Sequence, residues 1–231
     1  MRRAALWSVM AALAAAGSAA AQSGPVVIAI LPFEDRGSYG QDKEVFRALE
    51  LGIPAALASE LKRHPRVRLA DRARVSQAVQ AQNLGPDARV DAATAAKVGS
   101  QLGARYAITG NFADFYGKFR IDARIVDAES GQILKVVSNN DAGLQDRADL
   151  SQIVQVLGDK VVAAIGLPPS PRAPQGQPRS VPTEALTQYS LALLYESQGD
   201  KSKAGEHYQR ALTAFPDYPE AREGMQRVRG P

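Results

Sequence analysis

Residues 104–134, ARYAITGNFADFYGKFRIDARIVDAESGQIL, decide the fold. From Phe119 the apolar side chains Phe119, Ile121, Ala123 and Ile125 alternate with Arg120, Asp122 and Arg124, the period of two expected of a strand with one buried face. Tyr116-Gly117-Lys118 reads as a tight turn before this strand. Asp127 to Gly131 reads as the loop after it, with Gly131 able to take a positive φ. The stretch is a β-meander.

On its N-terminal side, Val26 to Phe33 is a β-branched run without a polar break and predicts a fully buried strand. Asp42 is placed to cap the next helix, where Phe46, Leu49, Ile53, Leu57 and Leu61 repeat at helical spacing. Gly52 and Pro54 predict a kink there, or two separate pieces. Val67 and Leu69 mark a short strand. Asp71 then caps a helix with Val75, Ala78 and Val79 inside, ending near Gly85-Pro86. Asp91 caps a third helix running to Leu102, and Gly103 supplies its left-handed stop. Beyond the meander, Leu150, Ile153, Val154, Leu157, Val161 and Ile165 share one face of a helix ended by Gly166 and Pro168. The expected order is β-α-β-α-α-β-β-β-α, an α+β class in which helices flank a mixed β-sheet.

The wording Gly103-Ala104-Arg105-Tyr106, Thr109-Gly110 and Asp122-Ala123-Arg124-Ile125-Val126-Asp127 ahead of Ser130-Gly131 resembles the curli-assembly CsgG family and the related N-terminal domain of TolB. The resemblance covers roughly residues 25–166, within a first domain expected at 22–166. It implies a mixed sheet flanked by helices, in agreement with the pattern, and a role in assembly rather than catalysis. Relatives of this fold act in curli secretion, in the Tol envelope system and as outer-membrane activators of cell-wall synthases. Many are anchored by a lipidated cysteine, and this chain has no cysteine at all.

Residues 167–182, LPPSPRAPQGQPRSVP, hold six prolines and read as a semi-rigid linker; recognition by a proline-binding groove is the alternative. Leu191, Tyr195, Ala204, Tyr208, Ala211 and Pro216 then fall on the spacing of a tetratricopeptide repeat, with Gly199-Asp200 as its turn. Gln188 and Ala192 stand where that family usually has tryptophan and glycine. Residues 183–231 are thus expected to be one repeat plus a capping helix opened by Pro219, with Tyr195 and Tyr208 each packed on the other's helix. One repeat cannot bury its own apolar face. It should dock on the first domain, a second copy or another protein; it is expected to melt as an independent module.

Arg2 and Arg3, an apolar run from Ala4 to Leu13 and Ala19-Ala20-Ala21 predict a signal peptide over 1–21, cut between Ala21 and Gln22. A membrane anchor is the alternative, but the apolar run is too short to span. The exported chain is expected to be periplasmic, without a transmembrane segment, with outer-membrane association as a variant. The formal charge of +4 falls to +2 once Arg2 and Arg3 are removed, and no domain is strongly basic, so nucleic acid is not an expected partner.

Chemistry finds little footing. His64 beside Pro65 and His207 in the repeat read as surface residues, and no ligand set for zinc exists. Glu34-Asp35 reads as the start of a solvated loop, with calcium binding or acid–base work the alternatives. Glycine-rich phosphate loops are absent, and Val98-Gly99-Ser100 lacks the second glycine of a nucleophile elbow. No cofactor is expected. Arg120 and Arg124 are the candidate partner-binding residues, with a solvated sheet face as the plainer reading. The expected function is a non-enzymatic periplasmic interaction and assembly factor that binds other envelope proteins or its own copies. The alternatives are a CsgG-like outer-membrane secretion-channel subunit or accessory and an unrecognised enzyme.

Overall fold

The computed structural model describes residues 24–83, 89–139, 143–170 and 181–230. The signal segment with Ala21 and Gln22, the Gly85-Pro86 pair and most of the proline-rich stretch lie outside the described residues; the helix expected to end near that pair stops at Gln80. The sheet is built from β1 (Val26–Asp35), β2 (Val67–Leu69), β3 (Tyr106–Phe115), β4 (Lys118–Asp127), β5 (Ile133–Ser138) and β6 (Gln145–Asp146). Its order is β2-β1-β3-β4-β5, with β6 paired to β4. β1 runs parallel to β2 and β3, whereas β3, β4 and β5 are antiparallel. The sheet is mixed, and the class is α+β.

The meander follows its periodicity. Phe119, Ile121, Ala123 and Ile125 are fully buried, and opposite them on β3 stand Asp114, Phe112, Gly110 and Ile108. Tyr116 and Gly117 take φ +52° and +86° between the paired Phe115 and Lys118; two left-handed residues make the two-residue hairpin turn whose twist matches that of its strands. Asp127 closes the next loop by accepting from Glu129 N at 3.0 Å and Ser130 N at 2.9 Å.

Helices pack on both faces of the sheet. The Phe112–Phe119 side packs on α1 (Lys43–Lys62) and α4 (Leu150–Ala164), which present Leu49, Ile53, Leu57, Ile153, Leu157 and Val161. On the other side, Ala29, Leu31, Ala107 and Val126 meet α2 (Arg72–Gln80) and α3 (Ala92–Gln101). Each large apolar side chain so enclosed is worth about 1.5–3 kcal/mol of transfer free energy. Asp71 caps α2 through Arg74 N at 3.0 Å, and Asp91 caps α3 through Thr94 N at 2.7 Å.

Three local expectations are corrected. First, α1 is one helix over twenty residues and not two pieces, with Gly52 and Pro54 both on its buried side, where packing offsets the missing backbone donor and the glycine penalty. Second, Asp42 makes no side-chain cap; its carboxylate faces Arg147 at 3.5 Å instead. Third, His64 is 1% exposed rather than a surface residue. Its Nδ1 accepts from Arg66 N at 3.1 Å and its Nε2 meets the Pro168 carbonyl at 3.0 Å, tying the α1–β2 corner to the chain leaving α4.

The tail forms α5 (Thr183–Ser197), α6 (Lys201–Ala214) and α7 (Pro219–Arg229). Ala204, Tyr208 and Ala211 are fully buried, while Pro216 is exposed just past α6. Tyr208 inserts between α5 and α7: its ring lies 6.0 Å from that of Tyr189, and a Cβ on Gly224 would meet it at 2.2 Å. Tyr195 stacks on His207 of α6 at 5.3 Å, so each of the two tyrosines packs on the other's helix as expected, and His207 is half-buried, with Nδ1 donating to Gln188 Oε1 at 2.7 Å.

Of the docking options open to the tail, the first domain is the one used. α5 lies along α1, with Ala48, Leu191 and Leu194 in one buried cluster. It is tied at its start by Thr183 Oγ1 donating to the Ala148 carbonyl at 2.5 Å, and at its end by Tyr195 Oη donating to Glu44. The apolar face that a lone repeat leaves open is thereby covered by α1.

Candidate functional site

Three surfaces come into question. The first is the outward face of β4, which carries Arg120 and Arg124. Arg120 forks onto Asp122, with Nε and Nη2 both at 3.1 Å from its carboxylate oxygens, and Asp122 also accepts from Ser138 Oγ. Arg124 is partly buried between Thr109 on β3 and Val136 on β5. Four strand positions separate the two guanidinium-bearing residues, about 13 Å along the strand, so they do not converge on one small ligand. The nearby Glu34 and Asp35 have separate structural tasks. Glu34 Oε1 accepts from Val90 N at 2.9 Å, and Asp35 Oδ1 accepts from Ser38 N and Oγ at 2.9 and 2.6 Å. Among the described residues, no group of three or more His, Asp or Glu could hold a metal ion.

The second surface is the tip of the β3–β4 hairpin. Tyr116 is 84% exposed and Tyr39 58%, and the Tyr39 ring stacks on Phe115 at 5.8 Å. Beneath them lies a polar network. Asp114, itself buried, accepts from Gly117 N at 2.6 Å and from Arg147 Nη1 at 2.7 Å, while its own N–H donates to Ser38 Oγ at 2.9 Å. Tyr39 N donates to the Asp114 carbonyl at 2.7 Å. A buried carboxylate with one charged and one backbone partner fixes the turn. Exposed aromatic rings on such a support match the composition of interface hot spots.

The third is a cleft of about 420 Å³ between the first domain and the tail. Ile30, Leu69 and Pro54 contribute apolar walls from β1, β2 and α1, and Leu193 from α5. At its mouth Glu196 on α5 receives Arg227 Nε at 2.9 Å and Nη2 at 3.1 Å, together with the Tyr208 hydroxyl. Arg72, the first residue of α2, reaches the same carboxylate at 3.6 Å. Burial pushes the Glu196 carboxyl up, but the Arg227 and Tyr208 hydrogen bonds and the two guanidinium charges outweigh it and hold it below its ordinary range. Burial and the Glu196 hydrogen bond push the Tyr208 phenol far up, and burial above all raises Tyr189 to about 12.

Sequence reading missed this cleft, since its walls come from six elements spread between residues 30 and 227. One local signal exists. Ala48, Gly52, Ala55 and Ala56 form a stripe of small residues along α1, the pattern of a helix that another approaches closely.

With the geometry in place, comparison with known proteins adds the following. A family model described as tetratricopeptide repeat matches residues 185–228, and one described as peptidoglycan-synthase activator LpoB matches residues 52–133. The LpoB C-terminal domain from Salmonella enterica aligns at 15% identity and a TM-score of 0.36, covering 53% of this chain and 84% of that one. The same domain from Escherichia coli gives 15% identity and a TM-score of 0.39, over 54% of this chain and 85% of that one. TolB from Acinetobacter baumannii gives 17% and 0.40, over 63% of this chain and 29% of that one. No curated protein matches the chain. Residues 52–133 are thus similar to the LpoB activator family, and these matches lend the secretion-channel expectation no support. Among the described residues no helix is long and apolar enough to cross a membrane.

Proposed function

We propose that this chain is a non-enzymatic regulator of the bacterial cell envelope, working in the periplasm by binding other envelope proteins, with a peptidoglycan synthase as the expected partner class. The match of residues 52–133 to the peptidoglycan-synthase activator model carries the reading. The tetratricopeptide match over residues 185–228 supports it, since that family of repeats serves protein binding. The rigid aromatic hairpin tip supports it further by offering Tyr39, Phe115 and Tyr116 to a partner. Arg120 and Arg124 extend this surface across the outward face of β4.

The test is direct. Purified residues 24–231 are added to a peptidoglycan synthase of the same host, and glycan polymerisation is followed. Saturable binding with a changed polymerisation rate supports the reading. Absence of both, with the chain folded, removes it.

A further inference from the structure

We propose that the open edge of β5 takes an extended, acidic segment of a partner protein as an added strand, with Lys135 beside one of its carboxylates. This deepens the reading of the chain as a protein-binding regulator and rests on it.

The backbone decides the form of the partner. β5 ends the strand order and pairs on one side only, with β4. One step beyond the paired Asp122 and Ser138, Asn139 N donates to the Ile121 carbonyl at 3.1 Å. Hydrogen-bonded pairs therefore fall at 121/139, 123/137 and 125/135, and the intervening Val136 and Ser138 turn their N–H and C=O groups outward. Lys160 Nζ takes the Ser138 carbonyl at 2.7 Å. Both Val136 groups and the Ser138 N–H are left at the edge, a template for another strand. The side chains fit the same use. Of the seven large apolar side chains exposed among the described residues, three stand on this six-residue strand, Ile133 at 47%, Leu134 at 50% and Val136 at 52%.

Charge decides what kind of strand is added. β4 and β5 carry six charged residues. Four are matched: Lys118 with Asp146, Arg120 with Asp122, and Asp127 with Arg105. The other two, Arg124 and Lys135, are both cations, and neither forms an ion pair or a side-chain hydrogen bond. Lys135 pairs with Ile125 and Arg124 with Val136, so the two lie on opposite faces of the sheet and an added strand meets a positive charge on each. An acidic residue opposite Lys135 gains a favourable cross-strand pair. A second copy is the poorer occupant. Antiparallel pairing of β5 with itself about Lys135 sets two lysines opposite each other, and a lysine in mid-edge guards against such pairing. Six residues also give far less contact than the roughly 1,200 Å² of a stable dimer.

The experiment titrates ¹⁵N-labelled residues 24–231 with acetyl-Thr-Val-Glu-Val-Glu-Val-Thr-amide and with the same peptide carrying lysine for both glutamates. Expected is saturable binding of the acidic peptide, at least ten-fold tighter than of the basic one, with shifts and slowed amide exchange at Val136 and Ser138. Lys135→Glu, an exposed change, should reverse the preference. A fully N-methylated acidic peptide keeps every side chain but donates no backbone hydrogen bond, and it should not bind. Val136→Pro removes an outward donor without touching the ladder to β4 and should weaken the acidic peptide at least ten-fold at an unchanged melting midpoint. Equal affinity of the two peptides overturns the proposal, as does a preference for acid that survives Lys135→Glu. Binding that survives N-methylation overturns strand addition. A dimer in sedimentation equilibrium that Val136→Pro converts to monomer gives the edge to a second copy and overturns it too. Synthase binding that persists while the acidic peptide fails removes the edge alone; peptide binding without any synthase effect removes the proposed function alone.

Discussion

Gly52 of α1 and Ser190 of α5 stand so close that a Cβ added to the glycine would lie 1.8 Å from the serine Oγ and 2.5 Å from its Cβ. No real Cβ occupies such a position. The first domain and the tail are therefore joined by a helix–helix contact whose spacing is set by the absence of one methyl group. Gly52→Ala must move α5 outward and is expected to destabilise the chain by about 1–3 kcal/mol, the usual cost of overpacking. Adding Ser190→Gly should restore most of the loss. Chemical denaturation of the two variants checks this.

The same contact predicts how the chain unfolds. Because α1 belongs to the first core and also covers α5, first domain and tail should melt together in one transition. A bulky residue at fully buried Ala204 should lower that single midpoint. The independent-module expectation required instead that only the tail unfold. Calorimetry on Ala204→Leu distinguishes the two, with coincident loss of helix and sheet signals as the expected result.

Acid should loosen the same joint. Glu196 has its carboxyl held below the ordinary range in the folded chain by Arg227, Tyr208 and Arg72 acting against burial. A depressed folded value contributes stability above the unfolded value of about 4.3, and that contribution disappears as pH falls through the folded value. Glu196→Gln should therefore lower stability at pH 7 and flatten its dependence on pH below 5. Parallel pH profiles for both proteins contradict the prediction.

At high pH the sign reverses. Burial raises Tyr189 to about 12 and lifts Tyr208 and Tyr218 as well. For a group raised on folding, stability is fully present below the unfolded value near 10 and is lost as pH climbs through the folded one. Tyrosinate absorbance from these three should rise only as α5–α7 unfold. A single titration step below pH 11 would contradict it.

Much of this was legible in sequence, and what was not shares one cause. Period two over 119–125 and the cap residues Asp71 and Asp91 describe interactions within a few residues, and they hold. His64 was misplaced because its partner, the Pro168 carbonyl, lies 104 positions away. Gly52 read as a helix breaker because its use, close packing against Ser190 of α5, is invisible along α1. Asp42 resembled a cap because Arg147, which draws its carboxylate, is distant in sequence. The Glu196–Arg227–Tyr208 cluster carries no spacing signature, since it forms only after three helices stack.

The hairpin tip supplies a prediction about binding without stability. Tyr116 is 84% exposed, and Tyr116→Ser should leave the melting midpoint within about a degree, as surface changes do. Combined with Phe115→Ser it should weaken partner binding at least ten-fold, the scale of a lost aromatic hot spot. Unchanged affinity in the double variant would move the interface elsewhere.

The most direct measurement of the central claim is the affinity of residues 24–231 for purified peptidoglycan synthases of the same host, read by surface plasmon resonance alongside glycan-polymerisation rate. The account predicts saturable binding and a changed rate that the Tyr116→Ser, Phe115→Ser variant weakens. A folded chain that binds none of them and leaves every rate unaltered would contradict it.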